Sequence, residues 1–199
     1  MNTALLEAIK NRRTYYAISN EAPVSETQIE EMVNFAIANV PSAFNSQSTR
    51  LVLLFGDSNL KFWDIVKQVL KSIVPQEAFE GTEKKIKSFA AGFGTILYYE
   101  DMTVVKTLVD KFPSYADNFP IWSNHSSAMH QFALWTILEE AGLGASLQHY
   151  NPIVDKKVEE AFNIPSTWKL IAQMPFGKPT AQPGEKSINA ISDRVKVYR

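Results

Sequence analysis

The chain of 199 residues contains no cysteine and only three histidines. Without cysteine it can form no disulfide, no thiolate nucleophile and no cysteine-ligated metal cluster. His125 and His130 lie five positions apart, a spacing that does not stack two metal ligands on one helix face. The HExxH and GxSxG motifs are also missing, and Ser126 and Ser127 beside His125 do not by themselves make a hydrolase. We therefore predict no metal site and nominate no catalytic side chain.

Charge and hydropathy give no indication of nucleic acid or membrane binding. The 20 Lys and Arg residues almost balance the 21 Asp and Glu residues, for a net charge of −1, so no strong field attracts a polyanion or an anionic lipid surface. No segment approaches the ~20 apolar residues that span a bilayer, and Glu7 and Lys10 interrupt the first apolar stretch, unlike a secretory signal. We expect a cytoplasmic protein that binds neither nucleic acid nor a membrane.

Helical and strand patterns alternate along the chain without a linker, which predicts one α+β domain over residues 1–199. The spacing of apolar residues predicts helices at residues 3–12, 25–40, 59–74, 121–141 and 154–162. Short apolar runs predict strands at residues 50–55, 94–99, 145–149 and 168–174, and an alternating pattern predicts a last strand at 194–198. Because that last strand follows a long excursion rich in Pro and Gly, we hypothesise that it reaches another subunit.

Two polar segments flank these elements and carry donors for a ligand. Arg12, Arg13 and Thr14 end the first helix, and two guanidinium groups with a hydroxyl can bind a phosphate. Alternatively, the two cations only complement the helix dipole. The segment at residues 41–47 (PSAFNSQ) contains two hydroxyls, a ring and two amides. Amides both donate and accept, as the edge of a heteroaromatic ring requires, although an ordinary turn has the same composition.

A third segment, Gly142-Leu143-Gly144, follows the longest predicted helix. Its small residues would let backbone N–H groups approach a flat ring closely. Gly142 is also in the place of a left-handed residue that ends a helix. The two interpretations are compatible with each other.

Together these segments resemble the nitroreductase family of FMN-dependent NAD(P)H oxidoreductases, in order and over nearly the whole chain. Arg12-Arg13-Thr14 is similar to the family's Arg-Arg-Ser phosphate motif, and residues 41–47 to its Pro-Ser-x-x-Asn-x-Gln loop. Gly142-Leu143-Gly144 resembles the glycine segment beside the isoalloxazine, and Lys186-Ser187 the C-terminal phosphate-binding lysine. Residues 92–101, 123–127 and 144–152 resemble a short fungal and lactic-acid-bacterial branch.

The resemblance implies a mostly antiparallel central sheet flanked by helices, in an intertwined homodimer that exchanges its C-terminal strands. It implies two FMN sites at the dimer interface. The implied FMN contacts are Arg12, Arg13, Thr14, Lys186 and Ser187 around the phosphate, Ser42, Phe44, Asn45 and Gln47 from the other subunit, and Gly144, Ala145 and Lys85 at the isoalloxazine. The aromatic acceptor pocket would be shaped by Tyr16, Phe93, Trp122 and His125, unless these residues pack in the core or at the dimer seam.

The implied reaction moves a hydride from NADH or NADPH to flavin N5 and on to a nitroaromatic, a quinone or a similar small molecule, in a ping-pong cycle. Two other hypotheses remain: a flavin-binding redox sensor without rapid turnover, and a domain without flavin whose motifs are only turns. The chain departs from the family pattern at residues 48–51, which read Ser-Thr-Arg-Leu where many relatives have Pro-Trp-x-Phe. Tyr16 stands where relatives often have a basic residue, and Thr82 replaces the Asn of an Asn-Glu-x-Lys segment.

Overall fold

The computed structural model describes residues 3–199 and has an antiparallel sheet at its centre. The strands are β1 (Ile18–Ser19), β2 (Thr49–Phe55), β3 (Gly94–Asp101), β4 (Gly144–Ala145) and β5 (Trp168–Pro179). Their order is β1-β5-β3-β2, and β4 also pairs with β5. Every strand pair is antiparallel. The fold is therefore α+β with a mostly antiparallel sheet, as the sequence predicted.

The helices cover both faces of this sheet. They are α1 (Thr3–Asn11), α2 (Glu26–Asn39), α3 (Gly56–Ile73), α4 (Gln76–Ala90), α5 (Met102–Lys111), α6 (Phe119–Glu140) and α7 (Asp155–Phe162). None of the helices in residues 3–199 combines the length and apolar character needed to cross a membrane.

Strand β3 is buried along its whole length and divides two hydrophobic cores. Because successive strand residues point to opposite faces, Leu97 and Tyr99 join one core while Ile96 and Tyr98 join the other. The first core contains Phe62, Trp63, Phe89 and Val158 from helices α3, α4 and α7. The second core contains Ile29, Val33, Leu134 and Leu138 from helices α2 and α6. Each fully buried apolar side chain of this size contributes about 1.5–3 kcal/mol.

The ends of α2 and α6 form as their sequences predict. Ser25 caps α2, and Ser25 and Gln28 form a reciprocal capping box. After α6, Gly142 adopts a left-handed φ of 79°, and the amide of Leu143 donates to the carbonyl of Leu138 at 2.8 Å. This Schellman-type ending turns the chain directly into β4.

Several predicted elements were wrong or missing. Of the strand predicted at residues 145–149, only Ala145 lies in a strand, β4; beyond it the segment meets β5 through the amide of Ser146, which donates to the Pro175 carbonyl, and at the isolated Gln148–Gln173 bridge. The side chain of Gln173 then bonds the amide of Tyr150 in place of a ladder. Helices α4 and α5 were not predicted, although Phe79, Ile86 and Phe89 recur at helical spacing in the first of them.

The C-terminal segment from residue 180 onward is almost entirely exposed. Residues 194–198, which the structure describes, form no strand within the chain, and only Ile191–Asp193 make a short helical turn. The alternating pattern there pairs with no described strand of its own chain. Exchange of this strand between two subunits therefore stays a prediction.

Candidate functional site

A cavity of about 610 Å³ lies between residues 12–17, after helix α1, and residues 181–187 of the C-terminal segment. We name it the cationic cavity. Its lining includes five of the predicted site residues: Arg12, Arg13, Thr14, Lys186 and Ser187. Glu185 places one carboxylate against the three cations. The structure thus brings together two motifs that are more than 160 residues apart in the sequence.

The cavity is joined to the glycine segment by backbone pairing. Thr14 forms a parallel bridge with Ala145, and the amide of Tyr15 donates to the Ala145 carbonyl at 2.9 Å. Gly144 lies against the ring of Tyr15, because a Cβ at position 144 would be 2.7 Å from Tyr15 Cγ. Tyr15 therefore occupies the side of Gly144 where a side chain would lie, and the approach of a flavin ring to the backbone of this segment stays a prediction.

The two arginines of the cavity have different surroundings. The Arg12 guanidinium carbon lies 4.3 Å from the centre of the Trp135 ring. Burial lowers the pKa of Arg12, while the nearby Glu139 carboxylate raises it. Arg13 instead reaches across the cavity and donates a hydrogen bond from Nη2 to the carbonyl of Gly184 at 2.5 Å. Arg12 is therefore part of the helix packing, whereas Arg13 holds the C-terminal segment near the helix end.

Lys85 lies at the side of the cationic cavity, on the exposed surface of helix α4. Its Nζ is 6.0 Å from the centre of the Tyr16 ring and 5.8 Å from that of Phe89. Tyr16 lines the cavity itself and is 55% exposed. The structure therefore places Lys85 next to the cavity wall, through Tyr16.

A second cavity, of about 600 Å³, is lined by residues 41–44 and one side of helix α6. We name it the aromatic groove. Phe44 and Trp122 stack there, with ring centres 5.9 Å apart and planes at 18°. His125 and Met129 complete the wall beyond Trp122. Of the residues expected to shape an acceptor pocket, Trp122 and His125 therefore lie together with Ser42 and Phe44.

The other two residues of that expectation lie elsewhere. Tyr16 lines the cationic cavity. Phe93 is partly buried and packs against the second core, edge-on to Phe55 and in contact with Phe176, which favours its core-packing alternative. The serines next to His125 are also engaged: the Ser126 hydroxyl donates to the Trp122 carbonyl at 3.0 Å, and Ser127 accepts from Gln131 at 3.1 Å.

The 41–47 loop has an unusual backbone. Phe44, Asn45 and Gln47 have φ values of 56°, 50° and 49°, in the left-handed region that costs residues other than glycine about 1–2 kcal/mol each. The Ser42 hydroxyl accepts from the amide of Gln47 at 2.9 Å and stabilises the turn. Such strain concentrates at functional segments, where the surrounding structure maintains it.

The two cavities lie at opposite ends of helix α6. Trp122 of the aromatic groove is near its first turn, and Trp135, which Arg12 of the cationic cavity contacts, is about 20 Å further along the axis at about 1.5 Å per residue. Among the described residues, none lines both cavities. Within one chain, the phosphate-type residues therefore line a different cavity from Ser42 and Phe44.

A family model described as the nitroreductase family matches residues 9–178. The chain belongs to the nitroreductase family. The Saccharomyces cerevisiae proteins HBN1 and nitroreductase FRM2 are 36% and 33% identical to it, each over 97% of this chain and 96% of the relative. Nitroreductase CinD from Lactococcus lactis has a similar structure, with a TM-score of 0.90, 44% identity, and coverage of 98% of this chain and 99% of CinD. The chain is thus similar over nearly its whole length to nitroreductase-family proteins of yeast and of a lactic-acid bacterium.

As a member of this family, the nitroreductase is a flavin-dependent oxidoreductase. The donors of the cationic cavity fit the phosphate end of a flavin nucleotide. Arg13 and Lys186 supply cations at opposite sides of the cavity, and Thr14 and Ser187 supply hydroxyls. Charge-assisted hydrogen bonds from such groups are the ones that hold phosphates most strongly.

Sequence reasoning missed the neighbours that shape the nitroreductase site. Tyr15 packs against Gly144, and the Trp135 ring contacts the Arg12 guanidinium. Only the folded chain brings these pairs together. The rings around Phe44 did leave a signal. Phe112, Tyr115, Phe119 and Trp122 follow one another at intervals of three or four residues, and each ring lies within 6 Å of Phe44.

Proposed function

We propose that this nitroreductase binds FMN and uses NADH or NADPH to reduce flat aromatic acceptors such as nitroaromatics and quinones. The observation that carries the proposal is the cationic cavity, where the two predicted phosphate motifs meet. When bound, FMN supplies the redox chemistry, because its N5 accepts a hydride from the nicotinamide and delivers it to the acceptor in a second half-reaction.

The chain's own groups bind and orient the cofactor in this proposal. Arg12, Arg13 and Lys186 neutralise the phosphate, and Thr14 and Ser187 donate hydrogen bonds to it. The Lys85 ammonium, beside Tyr16 on the rim of the cavity, stabilises negative charge on a reduced flavin ring. The backbone of Gly144 and Ala145 lies beside the phosphate segment, because Ala145 pairs with Thr14, and in this proposal it contacts the isoalloxazine.

We further propose that the flavin site is completed by a second copy of the chain. Because no described residue lines both cavities, we assign the 41–47 loop to the cationic cavity of the other chain. Helices α2 and α6 also expose large apolar side chains that a partner would cover: Phe35, Ile37, Ile121, Met129 and Phe132. The exposed C-terminal segment, with Val195, Val197 and Tyr198, would pair with that partner as the exchanged strand.

The aromatic groove supports the proposed class of acceptor. CinD has been solved in complex with nicotinic acid, chloramphenicol and 4-nitrophenol, all of which contain a flat ring. In this chain, Phe44 and Trp122 offer stacked faces for such a ring, and His125 is a polar group on the same wall. We propose that the acceptor ring lies against this groove once the dimer has brought it to the flavin.

The visible absorption spectrum of the purified protein tests the proposed function. We expect a yellow protein, or one that becomes yellow on addition of FMN, and we expect the colour to bleach anaerobically with NADH or NADPH. Addition of 4-nitrophenol or a quinone should then restore the oxidised spectrum. A flavin that binds but is reduced by neither nucleotide would favour the redox sensor. A protein that takes up no FMN would contradict the proposal.

A further inference from the structure

A buried acidic pair lies where the 41–47 loop enters the sheet. Glu100 is fully buried at the end of β3, and its two carboxylate oxygens accept from two neighbouring hydroxyls. Ser48 Oγ donates to Oε2 at 2.5 Å, and Thr49 Oγ1 donates to Oε1 at 2.6 Å. Both hydroxyl residues are buried and follow the loop directly. The carboxylate therefore holds the first two residues after the loop.

Arg50 connects the loop itself to the second acid. Its Nη1 donates to the carbonyl of Gln47 at 2.8 Å, and its Nη2 donates to Asp101 Oδ2 at 3.0 Å. The other oxygen of Asp101 accepts from the amide of Thr103 at 3.1 Å and caps helix α5. Four consecutive residues, 47–50, are thus attached to one end of β3.

We propose that Glu100 is a positioning residue that holds the strained 41–47 loop in the shape in which it binds the flavin. This inference rests on the proposed function, because it assigns the loop to the flavin site. Glu100 makes no contact with either cavity lining, so it acts through Ser48 and Thr49. The left-handed residues Phe44 and Gln47 need such an anchor, because their backbone conformation is unfavourable by itself.

The departure from the family pattern supports this assignment. Residues 48–51 read Ser-Thr-Arg-Leu in place of the Pro-Trp-x-Phe of many relatives. All three polar side chains of the departure take part in the network, Ser48 and Thr49 at Glu100 and Arg50 at Asp101. Ser48, Thr49 and Arg50 therefore act together with the two buried acids to anchor the loop.

Stability alone does not explain a carboxyl group at this position. Burial raises the pKa of Glu100, and the hydrogen bonds from Ser48 and Thr49, with the charge of Arg50, only partly oppose that effect. An ionised group in such a place costs more than a well-packed apolar one. What a carboxylate offers is two acceptor oxygens, so both hydroxyls can donate at the same time.

The test uses Glu100→Gln in the full-length protein, with Thr95→Val as the matched control. Glutamine keeps the volume but has a single acceptor oxygen, so only one of the two hydroxyls can still donate to it as it does to the carboxylate. Thr95 is equally buried on β3 and its hydroxyl also makes two hydrogen bonds, with Asn59 and Trp63, at the other end of the strand. Amide hydrogen exchange of residues 45–47 without FMN and FMN titration are the two readouts.

We expect Glu100→Gln to accelerate exchange of these loop amides about tenfold and to raise the FMN Kd about tenfold, the effect of losing one hydrogen bond to a charged group. Thr95→Val should change neither. Equal effects of the two variants, or wild-type behaviour of Glu100→Gln, would overturn the proposal. If Glu100→Gln does not fold, Ser48→Ala removes one of the two hydroxyls, and unchanged loop exchange in that variant would overturn it too. A wild-type protein that binds no FMN would contradict the proposed function, whereas the exchange data would still decide whether Glu100 holds the loop.

Discussion

The cationic cavity and the 41–47 loop carry out binding in two different ways. The cavity is lined by side chains at the end of α1 and on an exposed terminal segment, and its donors act through charge. The loop acts through backbone shape, with three residues in the left-handed region and a buried polar network behind it. A charged side chain only has to be brought near its ligand, but a strained turn has to be held in place.

This difference predicts separate effects on affinity and on stability. Changes in the cavity should alter FMN affinity and leave the fold intact. Changes in the loop and its aromatic neighbours should alter the unfolding free energy as well. The predictions below test that distinction, from the largest expected effect to the smallest.

The largest effect is expected for the double variant Arg13→Ala with Lys186→Ala. Loss of two charge-assisted contacts should raise the FMN Kd at least about 100-fold, while the unfolding midpoint in the absence of FMN stays at the wild-type value. Titration by flavin fluorescence and thermal unfolding measure the two quantities. Lys10→Ala, which removes an exposed cation of the same helix, is the control and should leave affinity unchanged. An equal loss of FMN affinity in Lys10→Ala would show that the phosphate responds to the overall positive charge of this region and not to direct contacts with Arg13 and Lys186.

Phe44→Ala should destabilise the protein, because Phe44 contacts four other rings. Aromatic pairs contribute about 0.5–1.5 kcal/mol each beyond their buried area, so for a half-exposed ring we expect a loss of about 1–2 kcal/mol in unfolding free energy. Urea unfolding measures this loss. Leu60→Ala, at a similarly exposed apolar residue of α3, should cost less than about 0.5 kcal/mol. Equal losses of unfolding free energy in the two variants would mean that the ring contacts of Phe44 contribute nothing beyond the burial of its apolar surface.

Arg12→Ala should lower both the affinity for FMN and the unfolding free energy. Its guanidinium lies over Trp135, and such a cation–π contact is worth about 0.5–1 kcal/mol near the surface. We therefore expect a loss of about 1 kcal/mol in unfolding free energy together with weaker FMN binding. Arg12→Lys keeps the charge but loses the flat stacking face, so it should restore more of the affinity than of the stability. Restoration of stability alone would contradict this assignment.

The two buried acids should give opposite pH dependences, which unfolding experiments between acid and neutral pH can measure. Burial raises the pKa of Asp101, but the bonds from Thr103 and the charge of Arg50 bring it below its ordinary value. The stabilisation that Asp101 provides is therefore present at neutral pH and lost as the pH falls through that lowered pKa. Asp101→Asn should then be less stable than wild type by about 1 kcal/mol at neutral pH, and the difference should shrink in acid.

Glu100 has a raised pKa, so its contribution is lost as the pH rises through that value. Glu100→Gln should accordingly gain stability relative to wild type as the pH rises. If both variants changed in the same direction with pH, the assigned directions of the two pKa shifts would be wrong.

The elements that sequence analysis predicted best are those whose signal is local. Helix α6, the Gly142 turn and the buried strand β3 each follow from spacing, capping or a short apolar run. The strand predicted at residues 145–149 is shorter than expected, because its pairing with the distant strand β5 is interrupted after Ala145 and returns only as the single Gln148–Gln173 bridge. Helix α4 escaped detection because its average composition is polar and its apolar residues are few.

The candidate site was predictable in part for the same reason. Arg12 and Arg13 form a recognisable local motif, and their meeting with Lys186 follows the resemblance to the family. The packing of Gly144 against Tyr15 could not be predicted from the sequence, because the Thr14–Ala145 bridge brings these distant segments together only in the folded chain. The anchoring of the loop by Glu100 likewise joins residues about 50 positions apart.

A complementation experiment tests most directly the central claim that each flavin site needs two chains. One chain carries Arg13→Ala with Lys186→Ala, and the other carries Asn45→Gly with Gln47→Gly, since glycine accepts the left-handed φ at both positions. The two chains are co-expressed with different affinity tags, and the heterodimer is isolated and titrated with FMN. We predict that neither parental homodimer binds FMN tightly and that the heterodimer regains one tight site per two chains. A heterodimer that binds FMN no better than its parents would contradict the claim, because each chain would then build its own site.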